Sequence, residues 1–223
     1  MSKVTFETML DAGVHFGHLK RKWNPSMAPY IFDEKKGIHV IDLNKTLAKL
    51  EEASNAMKQI AKSGRKILFV ATKKQAKEII SSKLTEVNMP FITERWPGGM
   101  LTNFKTTRLT IKKMSSIDKM MKDGTADTMS KRERLQLTRQ REKIGKVFGS
   151  VSDMNRLPAA IFIVDVKKEH IALAEAKNLN IPVFAMVDTN SSPEGIDFLI
   201  PSNDDATKSI DLIVGHLCDS IKE

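Results

Sequence analysis

Four aspartates in the last third of the chain stand where strands should end. Asp165 follows Ala160-Ile161-Phe162-Ile163-Val164, Asp188 follows Val183-Phe184-Ala185-Met186-Val187, and Asp204-Asp205 come shortly after Phe198-Leu199-Ile200. Oxygen-rich clusters at strand ends suit a hard divalent cation such as magnesium, and His39, far off in the chain, would add nitrogen and shift the preference toward zinc. His39, Asp188, Asp204 and Asp205 therefore form a candidate metal site. The same residues have a plainer use: Asp205 or Asn203 can cap the last helix, and Asp188-Thr189-Asn190 can stabilise a turn. His15 and His18, in Gly13-Val14-His15-Phe16-Gly17-His18, have ligand-like spacing, but with no cysteine or further histidine nearby they read better as packed or RNA-facing side chains.

Other enzyme signatures are missing from the sequence. A dinucleotide would need a Gly-rich turn after the first strand of the main sheet, because only glycine lets backbone close on a pyrophosphate, and the turn here is Ala71-Thr72-Lys73-Lys74-Gln75. Trp96-Pro97-Gly98-Gly99 holds the Gly pair, which suits a tight bend or a close approach to RNA backbone. There is no Gly-x-Ser-x-Gly elbow, Walker A loop or His-Glu-x-x-His motif. Cys218, among Ile213, Val214, Leu217 and Ile221, reads as an inert core thiol in a reducing compartment.

The elements that must position these residues alternate strand and helix. Ile67-Leu68-Phe69-Val70-Ala71 is an apolar run of strand length, and Thr72 is a candidate cap for a helix through Ala76, Ile79, Ile80 and Leu84. Further strands are expected at Phe91-Ile92-Thr93 and in the three runs that precede the aspartates. Helices are expected over 46–62, 170–179 and 205–222. Strands buried on both faces and joined by helices imply a parallel sheet inside an α/β/α sandwich. Tyr30 to Phe32 and Ile38 to Ile41, flanking Lys36-Gly37, predict a small N-terminal hairpin.

Residues 103–149 do not fit that sheet. Phe104, Ile111, Met114, Ile117 and Met121 recur near a 3.5-residue spacing until Asp123-Gly124. Ser130-Lys131-Arg132-Glu133 is a capping box, and Leu137, Ile144 and Phe148 run down a second helix. Two such helices predict an antiparallel coiled-coil hairpin inserted into a sandwich domain made of 1–102 and 150–223. Residues 105–146 carry 13 Lys and Arg against 5 Asp and Glu, a net of +8, when the whole chain is +9. Residues 1–104 come to +7 and residues 147–223 to −6. Charge polarised in this way points to a polyanion at one end of the molecule. With 41% hydrophobic residues the chain is expected to fold, and it has no apolar run of signal-peptide or membrane-spanning length, so neither export nor a membrane partner is expected.

Gly13-Val14-His15-Phe16-Gly17-His18, followed by Trp23-Asn24-Pro25-Ser26-Met27 and Tyr30-Ile31-Phe32, resembles the amino-terminal signature of the bacterial small-subunit ribosomal protein two family. The likeness continues through Gly37-Ile38-His39-Val40-Ile41-Asp42-Leu43, Leu68-Phe69-Val70-Ala71-Thr72-Lys73-Lys74-Gln75-Ala76 and Gly98-Gly99-Met100-Leu101-Thr102-Asn103-Phe104. It resumes at Ile181-Pro182-Val183, Asp188-Thr189-Asn190 and Ile200-Pro201-Ser202-Asn203-Asp204-Asp205-Ala206. Pro97 and Ser202 depart from the leucine and glycine common in that family, and both fall in loops.

The resemblance implies a flavodoxin-like fold with five parallel strands and a projecting coiled-coil hairpin, and no catalytic activity or required cofactor. It implies a cytoplasmic protein bound to small-subunit rRNA near the junction of head and body, among neighbouring ribosomal proteins and in some lineages docking the mRNA-binding ribosomal protein one. No homo-oligomer is expected. The candidate rRNA contacts are Lys20, Arg21, Lys22 and Trp23 in the amino-terminal segment, Arg95 before the insert, and Arg108, Lys112, Arg132, Arg139 and Arg141 on it. Two other classes compete with this reading. One is a magnesium-dependent phosphoacceptor or phosphotransfer domain, which needs a reactive aspartate open to phosphate; the other is a coiled-coil adaptor, which would leave the charge of the insert unused.

Overall fold

The structure is a computed structural model and describes residues 4–124 and 129–222. A short helix, α1 (Phe6–Asp11), leads into β1 (Phe16–Leu19), which pairs with the hairpin of β2 (Ile31–Lys35) and β3 (Ile38–Ile41) in a small antiparallel sheet of order β1-β3-β2. The turn between β2 and β3 is made by Lys36 and Gly37, both at positive φ, which matches the twist of a two-residue hairpin. The hairpin expected from the sequence is present, and β1 joins it as a third strand that alternation alone did not reveal. Its pairing register with β3 shifts between Phe16 and Leu19, so the segment lacks a regular period of two.

The main sheet holds five parallel strands in the order β5-β4-β6-β7-β8: β4 (Ile67–Val70), β5 (Phe91–Ile92), β6 (Ala160–Val164), β7 (Val183–Val187) and β8 (Phe198–Pro201). This is the flavodoxin-like order, with its reversal between β4 and β6. On one face, Phe69, Phe162 and Phe184 are fully buried against α2 (Leu43–Lys62), α3 (Lys74–Val87) and α7 (Thr207–Lys222). On the other, Leu68, Val70, Ile161, Ile163 and Ala185 pack against α6 (His170–Asn178), Trp96, Met100 and Leu101. Alternate residues of each strand serve opposite faces, so the strands read as continuous apolar runs. Among the described residues no helix is long and apolar enough to cross a membrane.

Between β5 and β6 the chain leaves the sandwich as two antiparallel helices, α4 (Phe104–Lys122) and α5 (Lys131–Phe148). Ser130 and Glu133 form the expected reciprocal cap of α5. The seam is narrow: Ile111, Met114 and Ile117 of α4 are buried, while Leu137, Ile144 and Phe148 of α5 are half-buried.

Local expectations need correction at three helix starts. Helix α7 begins at Thr207, two residues later than expected. Helix α2 begins at Leu43, three residues earlier than expected, because the Asp42 carboxylate accepts from the amide of Asn44. Thr72 does not cap α3; its amide and hydroxyl both donate to Glu169, and α3 begins after Lys73 without a side-chain cap.

Candidate nucleic-acid interface

At the carboxyl ends of β4 and β6, where folds with this strand order take their ligands, the centre is filled by a side chain of the protein itself. The Lys73 ammonium lies 2.9 Å from Asp165, 2.6 Å from Asp204 and 2.8 Å from Asp205. Three carboxylates around one half-buried ammonium raise the lysine pKa, although burial by itself would lower it. Burial pushes the Asp204 carboxyl up to about 7 against the pull of Lys73, and one of its oxygens, Oδ2, is buried without a hydrogen-bond partner.

The aspartates also hold the amino-terminal segment. His18 Nδ1 is 2.9 Å from Asp188 and Nε2 is 3.3 Å from Asp205, so the imidazole bridges two loops of the sheet edge. The hydrogen bond to Asp188 raises its pKa above the usual value more than burial lowers it, and the charges of Asp188, Asp205 and Asp204 add to that. The His18 amide donates to the Thr189 hydroxyl at 2.9 Å, the Asn24 amide to the Thr189 carbonyl at 2.8 Å, and the Asn203 amide to the Val14 carbonyl at 3.0 Å. Asn203 Oδ1 also accepts from the amides of Asp205 and Ala206, the turn-closing role that competed with metal binding.

The His39 ring is edge-on to Trp23, with centroids 5.1 Å apart. Among the described residues no group of three or more His, Cys, Asp or Glu side chains is arranged to hold a metal ion. His39, Asp188, Asp204 and Asp205 thus do not fit a divalent ion as one set: Lys73 and His18 supply the positive charge. Nor is any of these strand-end aspartates open to a phosphoryl group, since Asp165, Asp188 and Asp204 are buried and the exposed Asp205 is paired with Lys73 and His18.

The segment anchored in this way presents cations. Lys20, Arg21 and Lys22 form an exposed single turn, Lys20 pairing with Glu34 at 2.6 Å, and Trp23 is partly exposed beside them. Arg95 is exposed just after β5. On the arm, Lys112, Arg132 and Arg139 are exposed, pointing away from the apolar seam. Arg141 is exposed but donates to Asp118 at 2.8 Å across the two helices, and Arg108 is half-buried and donates to the Met154 carbonyl at 3.1 Å. These two are tied into the arm and its root, so they are less free to reach a phosphate than the other three.

Sequence reasoning missed Lys73, Thr189, Glu169 and Glu175 as organising residues. The lysine carried a usable signal: in Ala71-Thr72-Lys73-Lys74 it follows a buried strand of a parallel sheet, where a ligand or a charge is expected to sit.

Beside this edge, α1 and the small sheet enclose a groove of about 520 Å³. Phe6, Leu10, Phe16, Phe32 and Ile38 line it, with Lys35 at its lip. Phe32 is 75% exposed and Phe16 is 52% exposed, an unusual concentration of uncovered aromatic surface.

The model of the family described as Ribosomal protein S2 matches residues 9–223. A protein of Parabacteroides distasonis named small ribosomal subunit protein uS2 is 63% identical over all of this chain and 80% of its own length. Its namesakes in Azobacteroides pseudotrichonymphae and Porphyromonas gingivalis are 65% and 64% identical, again over all of this chain, covering 85% and 79% of those proteins. With an α/β sandwich, a basic arm and full-length likeness at this level, the chain belongs to the ribosomal protein S2 family, structural components of the small ribosomal subunit in the bacterial cytoplasm.

Proposed function

We propose that the chain binds small-subunit rRNA near the junction of head and body, through Lys20, Arg21, Lys22 and Trp23 on one side and the exposed cations of the arm on the other. The observation that carries this reading is the seam of the arm. Because Ile111, Met114 and Ile117 are turned inward, Lys112, Arg132 and Arg139 face outward on a rod of 19 and 18 helical residues, roughly 28 Å long. Phosphate neutralisation supplies affinity by releasing counterions, and the rigid rod restricts binding to one RNA shape. The Trp23 ring adds a stacking surface beside three cations.

The groove between α1 and the small sheet supports a second contact. Its aromatic surface, lined also by Lys35, Lys36, Asp33 and Asp42, suits an apolar segment, and we assign it to docking of the mRNA-binding ribosomal protein one, the partner that the family resemblance implies in some lineages.

The test is binding of the full chain to small-subunit rRNA across a salt series. Replacing Lys112, Arg132 and Arg139 by Glu is expected to weaken binding and to flatten the salt dependence by about 2 to 3 in log-log slope, near 0.7–0.9 for each lost phosphate contact. An unchanged slope with unchanged affinity would remove the arm from the interface.

A further inference from the structure

The loop that launches the arm converges on one buried carboxylate. Glu175 of α6 is 6% exposed. Its Oε1 accepts from the Trp96 indole N–H at 3.0 Å and the Gly99 amide at 2.8 Å. Its Oε2 accepts from the Leu101 amide at 2.9 Å, the Thr102 amide at 3.1 Å and the Thr102 hydroxyl at 3.2 Å. All five donors lie within residues 96–102, directly before the first residue of α4. We propose that Glu175 is a positioning residue that sets the direction of the arm relative to the sandwich; its consequence for RNA rests on the rRNA-binding reading above.

The chemistry of the contact supports a rigid joint. A carboxylate offers about four acceptor sites on two oxygens, and here both oxygens are used by donors fixed to one short loop. Gly99 has φ +82, so the chain can curl its successive amides toward a common centre, forming an anion-binding nest. The occupant of the nest is the protein's own carboxylate. Burial alone would push the Glu175 pKa up, but the bonds from Trp96, Thr102, Leu101 and Gly99 outweigh it and hold the group below the usual carboxylate range. The charge is thus kept, and bonds to a charged acceptor are roughly twice as strong as neutral ones.

The geometry of attachment explains why direction is at stake. Asn103 gives α4 no side-chain cap. The arm's return end is tied separately, by the Ser150 hydroxyl to the Phe91 carbonyl on β5, while Arg108 of α4 donates to the Met154 carbonyl and joins the two sides of the root. Glu175 is the tie to α6, and its own position is fixed by Ala172 and Ala176 buried against the sheet. Two separated ties define an angle, whereas one leaves a pivot. For a rod of roughly 28 Å, a rotation of about 10° at the root carries the tip about 5 Å, farther than a hydrogen bond or phosphate contact tolerates.

The experiment places spin labels on Lys119→Cys near the arm tip and Lys208→Cys on the sandwich, in a full chain carrying Cys218→Ala, and reads the distance distribution by double electron–electron resonance. Glu175→Gln, which turns one acceptor into a donor facing donors, is expected to broaden the distribution with unchanged circular dichroism, and to weaken small-subunit rRNA binding by about tenfold through lost preorganisation. A distribution as narrow as the parent's overturns the proposal whatever happens to affinity. Broadening with unchanged rRNA affinity supports the clamp and overturns the arm's part in RNA binding. Should Glu175→Gln fail to fold, Trp96→Phe combined with Thr102→Val removes donors while keeping the packing, and must broaden the distribution in its turn; no broadening there also overturns the proposal.

Discussion

Gly17 and Thr189 are in contact with no room between them: a Cβ added at Gly17 would stand 2.8 Å from Thr189 Cγ2, 2.9 Å from its Oγ1 and 3.0 Å from the backbone carbonyl oxygen of His39. The contact joins the amino-terminal strand to the loop after β7, and it brings His18 to Asp188 and the following cations to the edge of the sheet.

Gly17→Ala is therefore expected to destabilise the fold by about 1–3 kcal/mol, the usual cost of overpacking, because the His39 carbonyl belongs to a paired strand and cannot give way. Urea denaturation of the purified variant measures it. A loss within about 0.5 kcal/mol, the range of neutral surface substitutions, would show that the segment moves aside at little cost.

Lys73→Met is expected to cost about 3–5 kcal/mol near neutral pH, since it leaves Asp165, Asp204 and Asp205 without their shared ammonium. Without the opposing pull of Lys73, burial holds the Asp204 carboxyl higher in the folded state than in the unfolded chain. The folded form then takes up protons as pH falls, so the variant regains stability toward pH 5 and loses it as pH rises. Thermal melts at several pH values test the slope; a loss independent of pH would contradict it.

The imidazole of His18 has a folded pKa above its ordinary value, chiefly through the bond to Asp188. Its stabilisation is fully present below about pH 6.5 and fades as pH rises through the folded pKa. His18→Gln should cost about 1.5–3 kcal/mol below about pH 6.5, in the range for hydrogen bonds to charged groups, and the difference from the parent should shrink as pH rises through the folded pKa. A difference that grows with pH would be the opposite of the expected sign.

Phe32→Asp tests the groove. With 75% of the ring exposed, the substitution should leave stability within about 0.5 kcal/mol of the parent. Retention of purified ribosomal protein one on the immobilised chain should fall with this variant and stay unchanged with a substitution of an exposed α6 residue outside the groove's lining, such as Ile171→Asp. Equal retention by parent and Phe32→Asp would vacate the assignment.

The five strands were legible because each is an unbroken apolar run, such as Ile67 to Val70 and Val183 to Val187. The arm was legible because its apolar residues recur at helical spacing between a stop at Asp123-Gly124 and a cap at Ser130. Strand β1 was not, since Phe16-Gly17-His18-Leu19 exposes both end residues and pairs irregularly. The aspartates were correctly seen to gather at strand ends, but their partners were not, because Lys73 and Asp204 lie 131 positions apart and His18 and Thr189 lie 171 apart.

Periodicity, capping chemistry and charge are local properties, so the sequence by itself determined the alternation of strand and helix, the basic arm and the acidic final third. Which charges cancel is a matter of distance in space. Only the tertiary structure decided that Lys73 and His18 neutralise the carboxylates offered to a metal, and that the five donors of 96–102 close on Glu175, because chain reversal through the parallel sheet brings those groups within hydrogen-bond reach.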